Sequence, residues 1–110
     1  MPDDQRRTDM AQRILFDREV RYDFFPCDIF DEYAWNMLLR LFVAKASGKV
    51  MGEKELINLV HVNVNIGQRW LYLIAKDGQV ESRLAGEDVV LTEKALTKLR
   101  GYLDTVELDH

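Results

Sequence analysis

The sequence predicts a mainly helical domain that carries one small β-hairpin. Apolar side chains recur at helical spacing in five segments of the chain. Two short runs rich in β-formers, residues 79–84 and 88–91, are separated by a turn signal around Gly86. With 110 residues, 47% of them hydrophobic, the chain can bury one core and is too short for two.

The N-terminal segment, residues 3–20, predicts a weak amphipathic helix. Its apolar positions are Met10, Ile14 and Val20, a stripe too thin to stabilise an isolated helix, so the segment needs a partner surface. Residues 1–34 hold five basic and nine acidic side chains, and the remaining residues hold ten of each. The whole net charge of −4 therefore lies in the N-terminal third.

A proline at position 26 predicts an extended break, because the residue before a proline is disfavoured in the α region. We therefore divide the chain into an N-terminal helical arm with a Phe-Pro linker, residues 1–27, and a main domain, residues 28–110. Asp28 is a suitable N-cap for the next helix, and Gly48 is a suitable left-handed terminator. The predicted apolar face of this helix consists of Phe30, Tyr33, Ala34, Met37, Leu38, Leu41 and Phe42.

Two helices joined by a tight turn are predicted next, after a short strand-like segment at residues 49–51. The first covers residues 52–59, the turn covers residues 61–63, and the second covers residues 64–76, before Gly78. We expect the first helix to expose Glu53, Lys54 and Asn58 and to bury Leu56, Ile57 and Val60. The second helix places four side chains on one buried face: Gly67, Trp70, Leu71 and Ile74.

The hairpin follows, and Thr92 then caps a last helix that runs to about Val106. The expected buried side of this helix consists of Ala95, Leu96, Leu99, Leu103 and Val106. Two short helices, a tight turn and a hairpin form the winged helix-turn-helix, in which the second helix enters a major groove and the hairpin, or wing, contacts the flanking backbone.

Several segments resemble the MarR-like winged helix-turn-helix regulators of bacteria over about residues 18–103. Trp35 in the first core helix and the pair Arg69-Trp70 are the most distinctive features. The other matching segments are Asp31 to Leu39, Gly78 to Glu81, and Val90 to Thr92. The resemblance implies a homodimer that binds double-stranded DNA and whose N- and C-terminal helices pair the subunits.

The predicted DNA-facing surface departs from that family. Its wing tip usually carries two arginines after a glycine, whereas this chain has Glu87 and Asp88, which reverses the charge. Ile66, Tyr72 and Leu73 occupy positions that are usually hydroxylated or basic. The surface is therefore less basic and more apolar than the family pattern.

We expect a cytoplasmic transcriptional regulator that reads a pseudo-palindromic site as a homodimer. The candidate DNA-binding residues are Asn63, Asn65, Gln68, Arg69, Tyr72, Lys76 and Arg83. Lys49 and Lys54 are further candidates for phosphate contacts. The alternative is a winged-helix module that binds a protein partner through Ile66, Tyr72 and Leu73.

Several of these residues also have purely structural interpretations. Arg69 can form an intramolecular ion pair, for example with Glu81, as readily as it can bind DNA. Asn63 is the better candidate for a helix N-cap, and Tyr72 can simply cover the outside of the domain. Trp35 and Trp70 are interpreted as core residues.

Other functional classes lack support in the sequence. The single cysteine, Cys27, allows no intrachain disulfide and no structural zinc site, and it is interpreted as an inert thiol rather than an oxidation sensor. His61 suits a turn with a left-handed backbone, and no nucleophile or acid accompanies it in a catalytic pattern. We therefore expect no enzyme, cofactor, metal or membrane segment, nor do the first residues resemble a signal peptide.

Overall fold

The structure, a computed structural model, describes residues 2–24 and 33–108 and contains five helices within them. These are α1 (Pro2–Phe24), α2 (Tyr33–Ala46), α3 (Glu53–Leu59), α4 (Val64–Lys76) and α5 (Glu93–Leu108). Over the same residues no β-strand forms, so the described fold is all-helical. No helix in these two ranges has both the length and the apolar character needed to cross a bilayer.

The predicted hairpin is wrong, and with it the winged helix-turn-helix fold. In the described ranges the β-pairing consists of isolated antiparallel bridges, Met51 with Val89 and Val80 with Leu91. The guanidinium of Arg83 donates to the main-chain carbonyls of Glu87 and Asp88. The Leu84 N–H donates to the Glu87 carboxylate over 2.6 Å. Backbone pairing is found at the base of the segment, where the Glu81 N–H donates to the Val90 carbonyl and the Thr92 N–H to that of Gln79, and side-chain contacts occupy backbone groups nearer its tip.

Helix α1 packs on α2 and α5, which supply the partner surface that its thin apolar stripe requires. Met10, Ala11 and Leu15 are buried there, and Ile14 is half-buried. The side chain of Val20, also predicted to be apolar contact, lies outside the described residues. The helix is therefore stabilised by burial of one face rather than by its own propensity.

Charged side chains join α1 to α5. Arg7 donates to both carboxylate oxygens of Asp104 over 2.8 and 2.7 Å. Arg100 donates to both oxygens of Asp4 over 2.9 and 2.8 Å. The resemblance implies that the terminal helices pair two subunits; within one chain the structure shows these two helices in contact with each other.

Helix α2 forms the centre of the core. Met37, Leu39 and Phe42 are completely buried in it, and Trp35 is only half-buried, packed against the core and edge-on to Tyr102 at 4.8 Å. The helix ends as predicted, with Gly48 in the left-handed region at φ 70°. Its predicted N-cap, Asp28, the apolar Phe30 and the neighbouring Cys27 lie outside the described residues.

Helix α5 begins with the predicted cap. The Thr92 hydroxyl oxygen accepts a hydrogen bond from the Ala95 N–H over 3.1 Å. The predicted apolar side is buried where it is described: Ala95, Leu96, Leu99 and Leu103. The side chain of Val106 lies outside the described residues.

Helices α3 and α4 are joined by residues 60–63, in which His61 takes a left-handed backbone at φ 61°. The bounds predicted for α4 are confirmed, and its buried face holds Gly67, Leu71 and Ile74, with Trp70 half-buried. At Gly67 an added Cβ would lie 2.6 Å from the side chain of Ile57, so only glycine permits this close packing of α4 on α3.

Candidate nucleic-acid interface

The outer face of α4 is a continuous exposed stripe. Asn65, Arg69, Tyr72 and Lys76 are all exposed, and their spacing of four, three and four residues places them along one line of the helix. We call these four residues the α4 stripe. Tyr72 is 64% exposed, which shows that its ring lies largely in solvent.

The α4 stripe is positively charged in an acidic chain. Helix α4 contains Arg69 and Lys76 and no acidic residue, although the chain as a whole has a net charge of −4. Within the described residues neither cation has an ion-pair partner, so the predicted alternative of a pair between Arg69 and Glu81 is not found. Lys54, on α3, is exposed in the same way. These cations are free to meet an anionic partner.

Two apolar side chains flank the α4 stripe. Ile66 is 42% exposed and Leu73 is 41% exposed, although both are aliphatic. They are seven residues apart, almost two helical turns, and therefore point in nearly the same direction. The outer surface of α4 thus combines amide, cationic and phenolic groups with a neighbouring aliphatic edge.

Two of the predicted DNA contacts instead surround a buried carboxylate. Glu53, in the first turn of α3, accepts from Gln68 Nε2 over 3.1 Å and from Arg83 Nη2 over 2.6 Å. The side chains of Glu53 and Arg83 are 9% and 8% exposed. The prediction that Glu53 is exposed is therefore wrong. Since Gln68 and Arg83 are held inside the domain, neither is presented to a ligand in this arrangement.

Hydrogen bonding keeps the Glu53 carboxylate ionised. Burial acts to raise its pKa, and the hydrogen bonds from Arg83, Gln68 and the Gly86 N–H act in the opposite direction and outweigh it. The pKa of Glu53 is therefore lower than its ordinary value. The charged carboxylate links α3, α4 and the loop before α5 into one unit, which we call the Glu53 cluster.

The remaining predicted contact residues have mixed outcomes. Asn63 is the N-cap of α4, where its Oδ1 accepts from the Ile66 N–H over 2.9 Å, as its structural interpretation predicts. Lys49 Nζ lies 2.6 Å from Glu55 Oε1, so this predicted phosphate contact is paired within the chain. The four members of the α4 stripe are among the seven site residues predicted from the sequence, and the structure places these four together on the exposed surface.

The turn before α4 contacts α1 through the His61 ring, and α1 in turn contacts α2 through the same glutamate. His61 Nε2 lies 3.0 Å from Glu19 Oε1, and the same oxygen accepts from Arg40 Nη2 over 2.7 Å. This contact lies directly ahead of the N-cap Asn63 and helps to set where α4 begins. It uses His61 as a structural residue, in agreement with its left-handed backbone.

Comparison of the chain with protein-family models, curated proteins and solved structures gives no match. Its chemistry must therefore be judged from the arrangement of its own side chains. In the part of the chain that the structure describes, no group of three His, Cys, Asp or Glu side chains could hold a metal ion. The α4 stripe combines unpaired positive charge with exposed amide and phenol groups on one helix face.

The sequence contains one signal for the Glu53 cluster, which the β-propensity of residues 79–91 does not reveal. Arg83 is the single basic residue between Gln79 and Leu91, a segment with three acidic ones. An isolated cation in such a segment is a good candidate for a buried acid partner. Pairing it with Glu53 in the preceding helix would have required knowledge of the tertiary contact.

Proposed function

We propose that this chain binds double-stranded DNA as a transcriptional regulator, with the α4 stripe in the major groove. The observation that carries the proposal is a helix with two unpaired cations and no acidic residue, on the surface of a chain with a net charge of −4. A duplex carries one phosphate charge about every 1.7 Å along its axis, so it complements such a surface electrostatically.

The side chains of the stripe suit different parts of the duplex. The Arg69 guanidinium can donate two hydrogen bonds to guanine O6 and N7, and the Asn65 amide can pair with adenine N6 and N7. Lys76 and Lys54 would neutralise phosphates, and the Tyr72 hydroxyl can donate to a phosphate oxygen. This assignment leaves out Gln68 and Arg83, since both donate to Glu53.

A homodimer on a pseudo-palindromic site is part of the proposal. One helix in one groove buries little surface, and two copies spaced one helical turn apart would double the contacts. This role would place the chain in the cytoplasm of a bacterial cell and requires no enzymatic activity. The stoichiometry of the DNA complex, measured by sedimentation, tests the dimer separately from DNA binding.

Selection of bound duplexes from a random library at low salt, followed by anisotropy titrations of the enriched sequence, tests the proposal. We expect an enriched site and a modest affinity that decreases with salt, with a slope of about −0.9 in log K against log salt for each phosphate contacted. Arg69→Ala should weaken specific binding by about fivefold to 150-fold, which corresponds to about 1–3 kcal/mol for a bidentate base contact. The matched control is Arg13→Ala, an exposed arginine on α1.

No enrichment, or equal affinities for Arg69→Ala and Arg13→Ala, would reject DNA reading by α4. The exposure of Ile66, Tyr72 and Leu73 favours a second candidate, a protein-docking surface on the same helix. That candidate predicts no specific DNA site and a protein contact that Leu73→Glu abolishes and Arg69→Ala preserves. Binding to a defined partner, measured with both variants, distinguishes the two functions.

A further inference from the structure

The aliphatic edge of α4 has no function in the contacts described so far. Ile66 and Leu73 leave 42% and 41% of their surface in water, although the other face of α4 buries Leu71 and Ile74 almost completely. Arg69 lies between them along the helix, three residues after Ile66 and four before Leu73. Any ligand that reaches Arg69 therefore also approaches these two side chains.

The major groove of DNA offers one apolar group at the same depth as its hydrogen-bonding atoms, the C5 methyl of thymine. Contact between an aliphatic side chain and that methyl group buries apolar surface and is therefore favourable, whereas cytosine and the purine edges offer no such group. Building on the function proposed above, we infer that Ile66 and Leu73 are specificity residues that select thymine through its C5 methyl group.

The geometry of α4 gives the expected spacing of the two thymines. Seven residues correspond to about 10.5 Å along a helix axis, and base pairs rise about 3.4 Å per step. With the helix following the groove, the two methyl groups lie about three base steps apart. Arg69 lies between Ile66 and Leu73 along the helix, so a guanine that it reads falls between the two thymines. Gln68 is not used for this contact, because it donates to Glu53.

Replacement of thymine by deoxyuridine tests the inference, because it removes the methyl and preserves base pairing. The probe is the duplex enriched by the wild-type chain, with each thymine of the site replaced singly, and the readout is the dissociation constant from anisotropy. We expect about a fourfold weakening at each of two positions, the factor that corresponds to one buried methylene-sized group. Replacement at other positions should change little.

Variants assign each methyl to a side chain. Leu73→Ala should bind the thymine and deoxyuridine duplexes equally at one of the two positions, and Ile66→Ala should do so at the other. Leu84→Ala is the control, since Leu84 is an aliphatic residue outside α4 that is 76% exposed. It should preserve the wild-type discrimination at both positions. Circular dichroism of each variant shows whether the helices are intact.

The possible results separate this inference from the proposal on which it rests. A wild-type chain that binds a specific duplex and does not distinguish thymine from deoxyuridine at any position overturns the inference and leaves DNA binding by α4 standing. A discrimination that survives both Ile66→Ala and Leu73→Ala also overturns it. A chain that enriches no duplex overturns both, and the aliphatic edge is then explained by protein docking.

Discussion

Burial decides how much the Glu53 cluster contributes to stability, and two glutamates of α3 allow a matched test. Glu53 Oε1 and Glu55 Oε1 each lie 2.6 Å from a cationic nitrogen, of Arg83 and Lys49 respectively. The side chains of the first pair are 9% and 8% exposed, and those of the second pair are 43% and 58% exposed. Distance is therefore held constant while solvent exposure changes.

Removing one partner of a buried pair leaves the other charge without solvent or partner, which costs about 3–5 kcal/mol. Glu53→Ala also removes the acceptor of Gln68, so we expect a loss of about 3 kcal/mol in the free energy of unfolding. The exposed pair contributes about 0.2–1 kcal/mol, so Glu55→Ala should cost less than about 1 kcal/mol. For a domain of this size the Glu53→Ala variant should melt about 13 °C lower.

Urea unfolding followed by circular dichroism at neutral pH measures both variants. Glu53→Gln adds a third point, since its amide oxygen can still accept from Arg83 and only the charge is lost. Its stability should lie between those of the wild type and Glu53→Ala. Equal losses for Glu53→Ala and Glu55→Ala would refute the reasoning, because burial would then make no difference to the pair.

Three further predictions follow from single contacts. The hydrogen bond from Arg100 lowers the pKa of Asp4 to about 2, against the effect of burial and with help from Arg7. The ionised Asp4 therefore stabilises the fold above pH 3.8, and this stabilisation is lost as the pH falls toward 2. The free energy of unfolding of Asp4→Asn, measured in urea, should be lower than that of the wild type at pH 5 and should converge with it near pH 2. Gly67→Ala should lower the free energy of unfolding by about 1–3 kcal/mol, because the new Cβ would lie 2.6 Å from the Ile57 side chain. Gly101→Ala, whose Cβ would have no atom within 4 Å, should raise it by about 0.5–1 kcal/mol. Equal thermal melting points of the two variants would contradict this prediction. Thr92→Ala should lower the free energy of unfolding by about 1 kcal/mol through loss of its cap, and an unchanged value would show that the cap contributes nothing.

Local signals in the sequence predicted the helices well. The bounds of α4 follow from its apolar periodicity together with Asn63 at its start and Gly78 beyond its end, all of which act within a few residues. The left-handed turn at His61 was predictable for the same reason, since histidine is one of the larger residues tolerated there. Features fixed by neighbouring residues can be inferred without tertiary information.

The errors arise where side-chain contacts override the signals of propensity and helical spacing. β-propensity in residues 79–91 predicts a hairpin, whereas the structure has only isolated bridges there and the Arg83 side chain donates to the carbonyls of Glu87 and Asp88. Helical spacing places Glu53 on an exposed face, and only the approach of Arg83 and Gln68 explains its burial. The placement of the candidate residues could be predicted in part: the four residues of the α4 stripe lie together on the surface, whereas Gln68 and Arg83 donate to Glu53.

The pairing of α1 with α5 also bears on how the chain is made. The ion pairs between these helices join residues 97 and 96 positions apart. During synthesis α1 leaves the ribosome well before α5 has been made, so the part of its buried face that packs on α5 stays in water until then. Closure of the domain is therefore expected only after release of the C-terminal helix, and nascent chains truncated before Arg100 should be the ones that chaperones and proteases engage.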